Sequence, residues 1–236
     1  MTSPILNCGG AVIRSLLRLF VVLSAGTGIV VAQTRDRSSI NLPTTKKLTV
    51  PSPGRIGSTN SFPVTMVVSP DGHYATMLND GHGTQETLGR QSIAVLNLAT
   101  NQLADYPDAR FPEEAHQSYF LGLAFSSDGK HLYASVGSLT DPRGERAGNT
   151  GNGIAVYSFS QGKVAPEKFI PIPMQPLSSG KKLAVGLKAP AHTAIPYPGG
   201  MALIQDAGRD KLLIANNLSD NVILLDPATG KVLQTF

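Results

Sequence analysis

The segment VILLDPATGKV, residues 222–232, places a polar four-residue turn between an apolar run and a second apolar position. It matches two earlier segments without a gap: IAVLNLATNQL at residues 93–103 and IAVYSFSQGKV at residues 154–164. In every copy Asn or Gly stands at the turn position where a tight hairpin requires a positive φ angle. Such self-similarity indicates a chain built from one repeated supersecondary unit.

A second hairpin precedes each copy. The apolar residues 64–68 lead into SPDG, and residues 121–125 lead into SSDG, while the third unit carries a looser version over residues 201–215. Asp-Gly between apolar runs is a strong hairpin signal. Each unit therefore has four short strands, A to D. The sequence predicts an all-β fold, a β-propeller of four-stranded antiparallel blades, with about three blades in a partial ring, at residues 63–105, 120–166 and 199–236.

Composition agrees with this fold. The chain has 236 residues, of which 24 are glycine and 17 are proline, a combination that excludes a helix bundle or a coiled coil. Charged residues make up 15 %, and there is no tryptophan. Because lysine and arginine are not clustered and aromatic residues are few, we find no strong signal for nucleic-acid binding.

The N-terminus predicts export. Arg14 and Arg18 precede an apolar run, and Val30 and Ala32 form a small-residue cleavage site, so residues 1–32 are expected to be a signal peptide cleaved after Ala32. The alternative is an uncleaved anchor. We expect a periplasmic or secreted protein without a membrane span after cleavage. Residues 33–62 would form an N-terminal lead-in whose residues 47–50 provide a closing strand, ahead of the partial propeller at residues 63–236.

The third unit carries a family resemblance. Its residues 215–232, ANNLSDNVILLDPATGKV, resemble the YVTN-type β-propeller repeat of exported bacterial proteins. The first two units depart from that pattern because they carry long inserts between strands B and C. Residues 46–51 and 63–68 also resemble members of this family that are fused to a C-terminal phosphoesterase domain. The resemblance implies an exported propeller, and under the narrower match any phosphoesterase activity would lie C-terminal to this segment.

Three blades form an open arc, whereas propellers close with typically four to eight blades. We therefore interpret the chain as the N-terminal part of a larger protein. The alternative is that several short chains assemble one ring.

The long connections are expected on one face of the propeller, at residues 79–91, 105–118, 137–152 and 166–198, and the tight turns on the other. Loops of this length are usually functional or disordered. The candidate ligand-binding residues on the long-loop face are Asn79, His82, His116, His192 and Asn216.

The same face holds Asp80, Glu86, Glu113, Glu114, Asp141 and Glu145, and with the histidines these either hold a divalent cation or are solvated loop residues. Asn79 and Asn216 occupy matching positions at the end of strand B. In calcium-dependent lactonases of the gluconolactonase type, which resemble this fold, Asn, Asp and Glu hold the metal near the central channel. The equivalent place in the second unit is Val136 or Gly137, which breaks the pattern.

Our leading hypothesis is an exported binding or scaffold module that presents its long-loop face to a ligand or to a neighbouring domain of the same or another exported protein. We expect no catalytic residue in this segment and no cofactor. The alternative is a metal-dependent lactonase-type hydrolase acting at the central channel, for which calcium is the metal.

Overall fold

A computed structural model of the protein describes residues 39–41, 47–49, 59–60, 62–81, 91–112, 116–183 and 186–236. The chain divides into two compact units, residues 1–55 and residues 56–236. The predicted signal peptide lies outside the described residues. Within the described residues, no helix is long and apolar enough to cross a membrane.

In the compact unit of residues 1–55, β1 (Ser39–Asn41) and β2 (Lys47–Thr49) form a two-stranded antiparallel sheet in which Ile40 lies opposite Leu48. The segment predicted to close the propeller overlaps β2. The role of this segment in closing the ring stays a prediction.

The compact unit of residues 56–236 contains three four-stranded antiparallel sheets. The first sheet consists of β3 (Pro63–Val68), β4 (Tyr74–Asn79), β5 (Ser92–Asn97) and β6 (Leu103–Pro107). The second sheet consists of β7 (Gln117–Phe125), β8 (His131–Ser138), β9 (Gly153–Ser160) and β10 (Lys163–Pro171). After a short pair formed by β11 (Gln175–Pro176) and β12 (Thr193–Ala194), the third sheet consists of β13 (Pro198–Asp206), β14 (Arg209–Asn216), β15 (Asn221–Asp226) and β16 (Lys231–Thr235).

Within each four-stranded sheet the spatial order of the strands follows the sequence order. The predicted all-β fold of four-stranded antiparallel units is confirmed, and the three sheets form a partial β-propeller. The described residues contain no helix.

Aspartate side chains stabilise the predicted turns between strands A and B. The Asp71 carboxylate accepts hydrogen bonds from the Ser69 hydroxyl at 2.5 Å and from the His73 amide at 3.0 Å, which fixes the turn between β3 and β4. Asp128 repeats this arrangement between β7 and β8, with the Ser126 hydroxyl at 2.6 Å. In both turns a backbone amide, that of His73 or of Lys130, donates to the Asp side chain, which is how Asp caps its own turn.

The turn between strands C and D has the same hydrogen bonds in the first and third sheets. Asn97 accepts hydrogen bonds from two backbone amides of its turn, and Asp226 does the same in the third sheet. Asn101 and Gly230 occupy equivalent positions with φ angles of 58° and 72°. The sequence repeat thus reflects a repeated backbone conformation.

The second sheet is buried on both faces, as β9 shows most clearly. Ala155, Tyr157 and Phe159 belong to an apolar cluster shared with the first sheet. Ile154 and Val156, which alternate with them, belong to a second cluster shared with the third sheet. Because successive side chains of a strand point to opposite faces, the continuous apolar run of β9 requires a neighbouring sheet on each side.

The outward faces of the first and third sheets are only partly polar. Met66 on β3 and Leu233 on β16 are 60 % and 50 % exposed, and Val68 and Val222 are also exposed. On β3 the two exposed residues, Met66 and Val68, are two positions apart and so lie on the same face of the sheet.

A buried polar cluster joins the first and second sheets. The Asp108 carboxylate, in the link after β6, accepts hydrogen bonds from Arg110 Nε and Nη2 at 3.0 and 2.7 Å, and from the Tyr157 hydroxyl at 2.5 Å. The Tyr157 hydroxyl also contacts that of Tyr119. Burial raises the pKa of Asp108, but the hydrogen bonds from Arg110 and Tyr157 outweigh burial and hold this pKa below its usual value.

Close packing of the inner strands predicts the effect of one substitution. A Cβ atom on Gly122 of β7 would lie 2.4 Å from the Gly199 carbonyl oxygen of β13, whereas one on Gly200 would meet no atom within 4 Å. We expect Gly122→Ala to lower the free energy of unfolding by roughly 1–3 kcal/mol. The matched variant Gly200→Ala should change it by less than about 1 kcal/mol. Urea unfolding followed by tyrosine near-UV circular dichroism measures both, and equal effects would contradict this packing.

The lowered pKa of Asp108 predicts a pH-dependent contribution to stability. Its stabilisation is fully present above the unfolded-state pKa of about 3.9 and is lost as the pH falls through the lower folded-state value. Asp108→Asn should therefore cost roughly 2–4 kcal/mol at pH 7 and clearly less at the acid end of the stability curve. Urea unfolding across this pH range tests the prediction, and a penalty that does not vary with pH would contradict it.

Candidate functional site

The strand ends that the long connections join lie at one end of the sheets, which we call the loop face. These connections follow the second and fourth strands of the first two sheets, at residues 80–91, 108–116, 139–152 and 172–197. Because neighbouring strands are antiparallel, these connections emerge at the same end and the short turns emerge at the other, the turn face. In the third sheet the corresponding connection, residues 217–220, is short.

A groove of about 400 Å³ opens on the loop face between the first and second sheets. We call it the loop-face groove. Its lining combines acidic, imidazole, hydroxyl, amide and apolar groups from both sheets and from the link before β13: Asp80, Gly81, Gln91, His116, Gln117, Ser118, Gly137, Leu139, Thr140 and Tyr197.

Two buried glutamines form a fixed part of this lining. Gln91 Nε2 donates to the Gln117 carbonyl at 2.7 Å, and Gln91 Oε1 accepts from the Tyr119 amide at 2.6 Å, so its side chain pairs with β7 as a strand backbone would. Gln117 Oε1 accepts from the Thr150 amide at 3.0 Å. The glutamines thereby tie the ends of two long loops to β7, and the groove is held in shape before any ligand binds.

Tyr197 closes one side of the groove. Its backbone has a φ angle of 48°, and its ring lies so close to Gly137 that a Cβ atom there would be 2.6 Å from Cε2. The ring also makes an edge-to-face contact with Phe120, with centroids 5.1 Å apart. Burial raises the pKa of Tyr197. It outweighs a hydrogen bond with the Ser118 side chain, which lowers this pKa, and the nearby charge of Asp80 adds to the rise, so the phenol keeps its proton at neutral pH.

His116 is the candidate residue that the structure places in the lining of the groove. It is exposed, immediately precedes β7 and has a φ angle of 49°. The groove lining also contains Asp80, one of the acidic residues that the sequence analysis placed on the same face. Positive φ angles in non-glycine residues cost free energy and cluster at functional sites.

The two asparagines that end strand B are buried, and their side chains form hydrogen bonds with other side chains of the protein. Asn79 donates from Nδ2 to the Ser92 hydroxyl, and its Oδ1 accepts from the Thr59 hydroxyl, both at 3.0 Å. Asn216 donates from Nδ2 to Asn221 Oδ1 at 2.9 Å, but its own buried Oδ1 has no partner among the described residues. Their role in ligand binding stays a prediction.

The remaining candidates lie elsewhere. His192 is exposed beside β12 and does not line the groove. His82 lies outside the described residues, as do Glu86, Glu113 and Glu114. The described part of the chain contains no group of three His, Cys, Asp or Glu residues placed to hold a metal ion.

Asp141, a candidate acid of the loop face, organises its own loop. It is 5 % exposed, and its carboxylate accepts hydrogen bonds from the Glu145 and Arg146 amides and from Asn149 Nδ2. Burial raises the pKa of Asp141, yet these hydrogen bonds outweigh burial and lower it. Sequence analysis missed Gln91, Gln117 and Tyr197, because single residues of common types carry no motif.

Neither a known protein family nor a curated protein sequence matches this chain. Similar solved structures include a Bacteroides fragilis protein named as a 6-phosphogluconolactonase, with 17% identity, a TM-score of 0.45 and coverage of 76% of this chain and 40% of that one. Hydrazine synthase from Kuenenia stuttgartiensis has 17% identity, a TM-score of 0.47 and coverage of 78% and 44%. The periplasmic gluconolactonase of Pseudomonas aeruginosa has 16% identity, a TM-score of 0.30 and coverage of 75% and 57%.

The aligned part thus spans between 40% and 57% of the length of these solved chains. At this identity the similarity concerns the fold and assigns no activity. The finer resemblance to YVTN-type repeats, and to the phosphoesterase fusion, stays a prediction.

Proposed function

We propose that this chain is an exported β-propeller binding module that holds a small polyhydroxylated ligand in the loop-face groove. The observation that carries the proposal is the preorganised lining, in which Gln91 and Gln117 fix the backbone beside Asp80, His116 and Tyr197. A volume of about 400 Å³ lies within the range of small-molecule pockets.

The chemistry of the lining favours a ligand with several hydroxyl groups. Tyr197 is a protonated phenol that donates a hydrogen bond, while the Asp80 carboxylate accepts hydrogen bonds from hydroxyl groups. Leu139, which is 45 % exposed, supplies an apolar side against which C–H groups pack. A sugar-like molecule offers all three kinds of group in a compact volume.

We further propose that the chain forms the N-terminal part of a longer protein. The exposed apolar residues on the outward faces of the first and third sheets support this, because further sheets or a neighbouring domain would cover them. The partner is then a domain of the same protein or another exported protein.

The alternative, a calcium-dependent lactonase, finds less support in the described residues. Calcium takes six to eight oxygen ligands. The Asn216 Oδ1 atom is a buried oxygen without a partner and suits such a role, but Asn79 Oδ1 already accepts a hydrogen bond from Thr59. The described residues also contain no group of three His, Cys, Asp or Glu placed to hold a metal ion, and we assign no reaction step to a metal.

One labelled protein tests the binding proposal. The chain has six tyrosines, so 3-fluorotyrosine labelling gives six ¹⁹F signals, and Tyr197→Phe identifies that of Tyr197. We expect D-glucose to shift this signal saturably. Asp80→Asn should weaken binding about tenfold, because a hydrogen bond to a charged acceptor is lost. The matched variant Asp71→Asn, on the turn face, should bind normally.

The same protein preparation distinguishes the binding module from the lactonase alternative. With glucono-1,5-lactone in a pH-stat, we expect no acid release above the uncatalysed rate, with or without EDTA. Turnover that EDTA and Asn216→Ala both abolish would overturn the binding module in favour of the lactonase. Absence of any saturable Tyr197 shift would overturn the ligand assignment.

A further inference from the structure

The first strands of the three four-stranded sheets lie together at the inner edge of the partial propeller. Strand β7 contacts β3 on one side and β13 on the other. The contact with β13 is close, as the approach of Gly122 to the Gly199 carbonyl oxygen shows. The loop-face ends of these three strands therefore belong to one region of the surface, although they come from three different sheets.

A residue with a ring side chain immediately precedes each of these strands. Phe62 precedes β3, His116 precedes β7 and Tyr197 precedes β13. We call these three the inner ring residues. All have a left-handed backbone, with φ angles of 54°, 49° and 48°. The Phe62 carbonyl accepts a hydrogen bond from the Asp80 amide at 3.3 Å. The Tyr197 carbonyl accepts the equivalent bond from the Asn217 amide at 3.1 Å, so the same backbone arrangement recurs.

The left-handed backbone does not by itself require a ring. Glycine and asparagine adopt a positive φ angle with less strain, and a bulky residue in this conformation is an outlier. The chain uses the less strained residues elsewhere, as at Asn101 and Gly230 in the turns between strands C and D. Ring residues at all three places before a first strand therefore indicate a role for the side chains rather than for the turn.

The inner ring residues lie in or beside the loop-face groove. His116 and Tyr197 are part of its lining. Phe62 lies next to it, because the Phe62 carbonyl is bonded to the amide of Asp80, which also lines the groove. Phe62 is 58 % exposed, whereas phenylalanine is one of the residue types most often fully buried. An exposed apolar ring thus borders a groove with a largely polar lining.

This combination of groups fits a chain of sugar units. Each pyranose unit has a face of C–H groups that packs on an aromatic ring, and hydroxyl groups at its edge that form hydrogen bonds with polar side chains. A unit in the groove that bonds to Asp80 has Phe62 as its neighbour on the side of the first sheet. The next unit of the chain then lies over an exposed aromatic surface.

We propose that the ligand of the loop-face groove is an oligosaccharide, with one sugar unit in the groove and the next unit stacked on the ring of Phe62. This inference rests on the proposed function, since it extends the ligand that the groove binds. His116 and Tyr197 contact the unit in the groove, and Phe62 makes a chain of units bind more tightly than a single sugar.

The test compares cellobiose, whose two glucose units form an extended line, with D-glucose. The ¹⁹F signal of Tyr197 in the fluorotyrosine-labelled chain reports the binding of both. We expect cellobiose to half-saturate this signal at about one-tenth of the glucose concentration, because packing on an aromatic ring contributes on that order. Phe62→Asn should remove this advantage and leave the affinity for glucose unchanged.

The same variant distinguishes a binding role from a structural one. Asparagine tolerates the left-handed backbone, so Phe62→Asn should keep the melting temperature of the parent chain or raise it slightly. The matched variant Phe236→Asn removes a ring that is 62 % exposed beyond the end of β16, and it should keep the advantage of cellobiose. A lower melting temperature of Phe62→Asn, with an unchanged ratio of the two affinities, would assign Phe62 a structural role and overturn the proposal.

The failure of this inference is distinguishable from the failure of the proposed function. If D-glucose shifts the Tyr197 signal but cellobiose binds no more tightly, the oligosaccharide is overturned and the small ligand of the groove stands. If neither sugar shifts the signal, both proposals fail. Tighter binding of N-acetyl-L-tryptophan amide than of cellobiose would overturn the sugar chain in favour of an aromatic peptide.

Discussion

A four-stranded sheet that is apolar on both faces needs a neighbouring sheet on each side to bury those faces. The second sheet is of this kind because strand β9 carries apolar side chains on both of its faces. Its alternating side chains enter two different apolar clusters, one shared with the first sheet and one with the third. Burial of apolar surface is the dominant favourable contribution to folding. The second sheet must therefore lie between two others, and the loop-face groove forms at one of the junctions that this stacking creates.

Specific polar contacts determine how the stacked sheets are aligned. Asp108 connects the link after β6 to Tyr157 of β9, and the glutamine pair connects the loop before β5 to β7. On the opposite face Ser127 and Asp210 join the second and third sheets. Apolar contact alone is non-directional, whereas buried hydrogen bonds are costly to leave unmade and so favour one arrangement.

The two ends of the stack differ in chemistry for a topological reason. Antiparallel order sends the long connections to the loop face, where inserts bring Asp80, His116 and Tyr197 together. The same order sends the tight turns to the turn face, and tight turns use Asp to cap their own backbone. Asp128, for example, accepts a hydrogen bond from the Ser126 hydroxyl within the turn between β7 and β8.

The repeated strand and turn pattern follows from the amino-acid sequence alone, because a turn such as that of Asp71 or Gly230 depends on residues within a few positions of one another. The sequence also located the long connections and named His116 as a candidate. Only the tertiary structure brought Gln91 to Gln117, Tyr197 to Gly137, and Ser127 to Asp210, which lies 83 residues away. Contacts between residues so far apart depend on how the sheets stack, and no local pattern records them. The loop-face groove is a product of that stacking, so its chemistry became visible only with the fold.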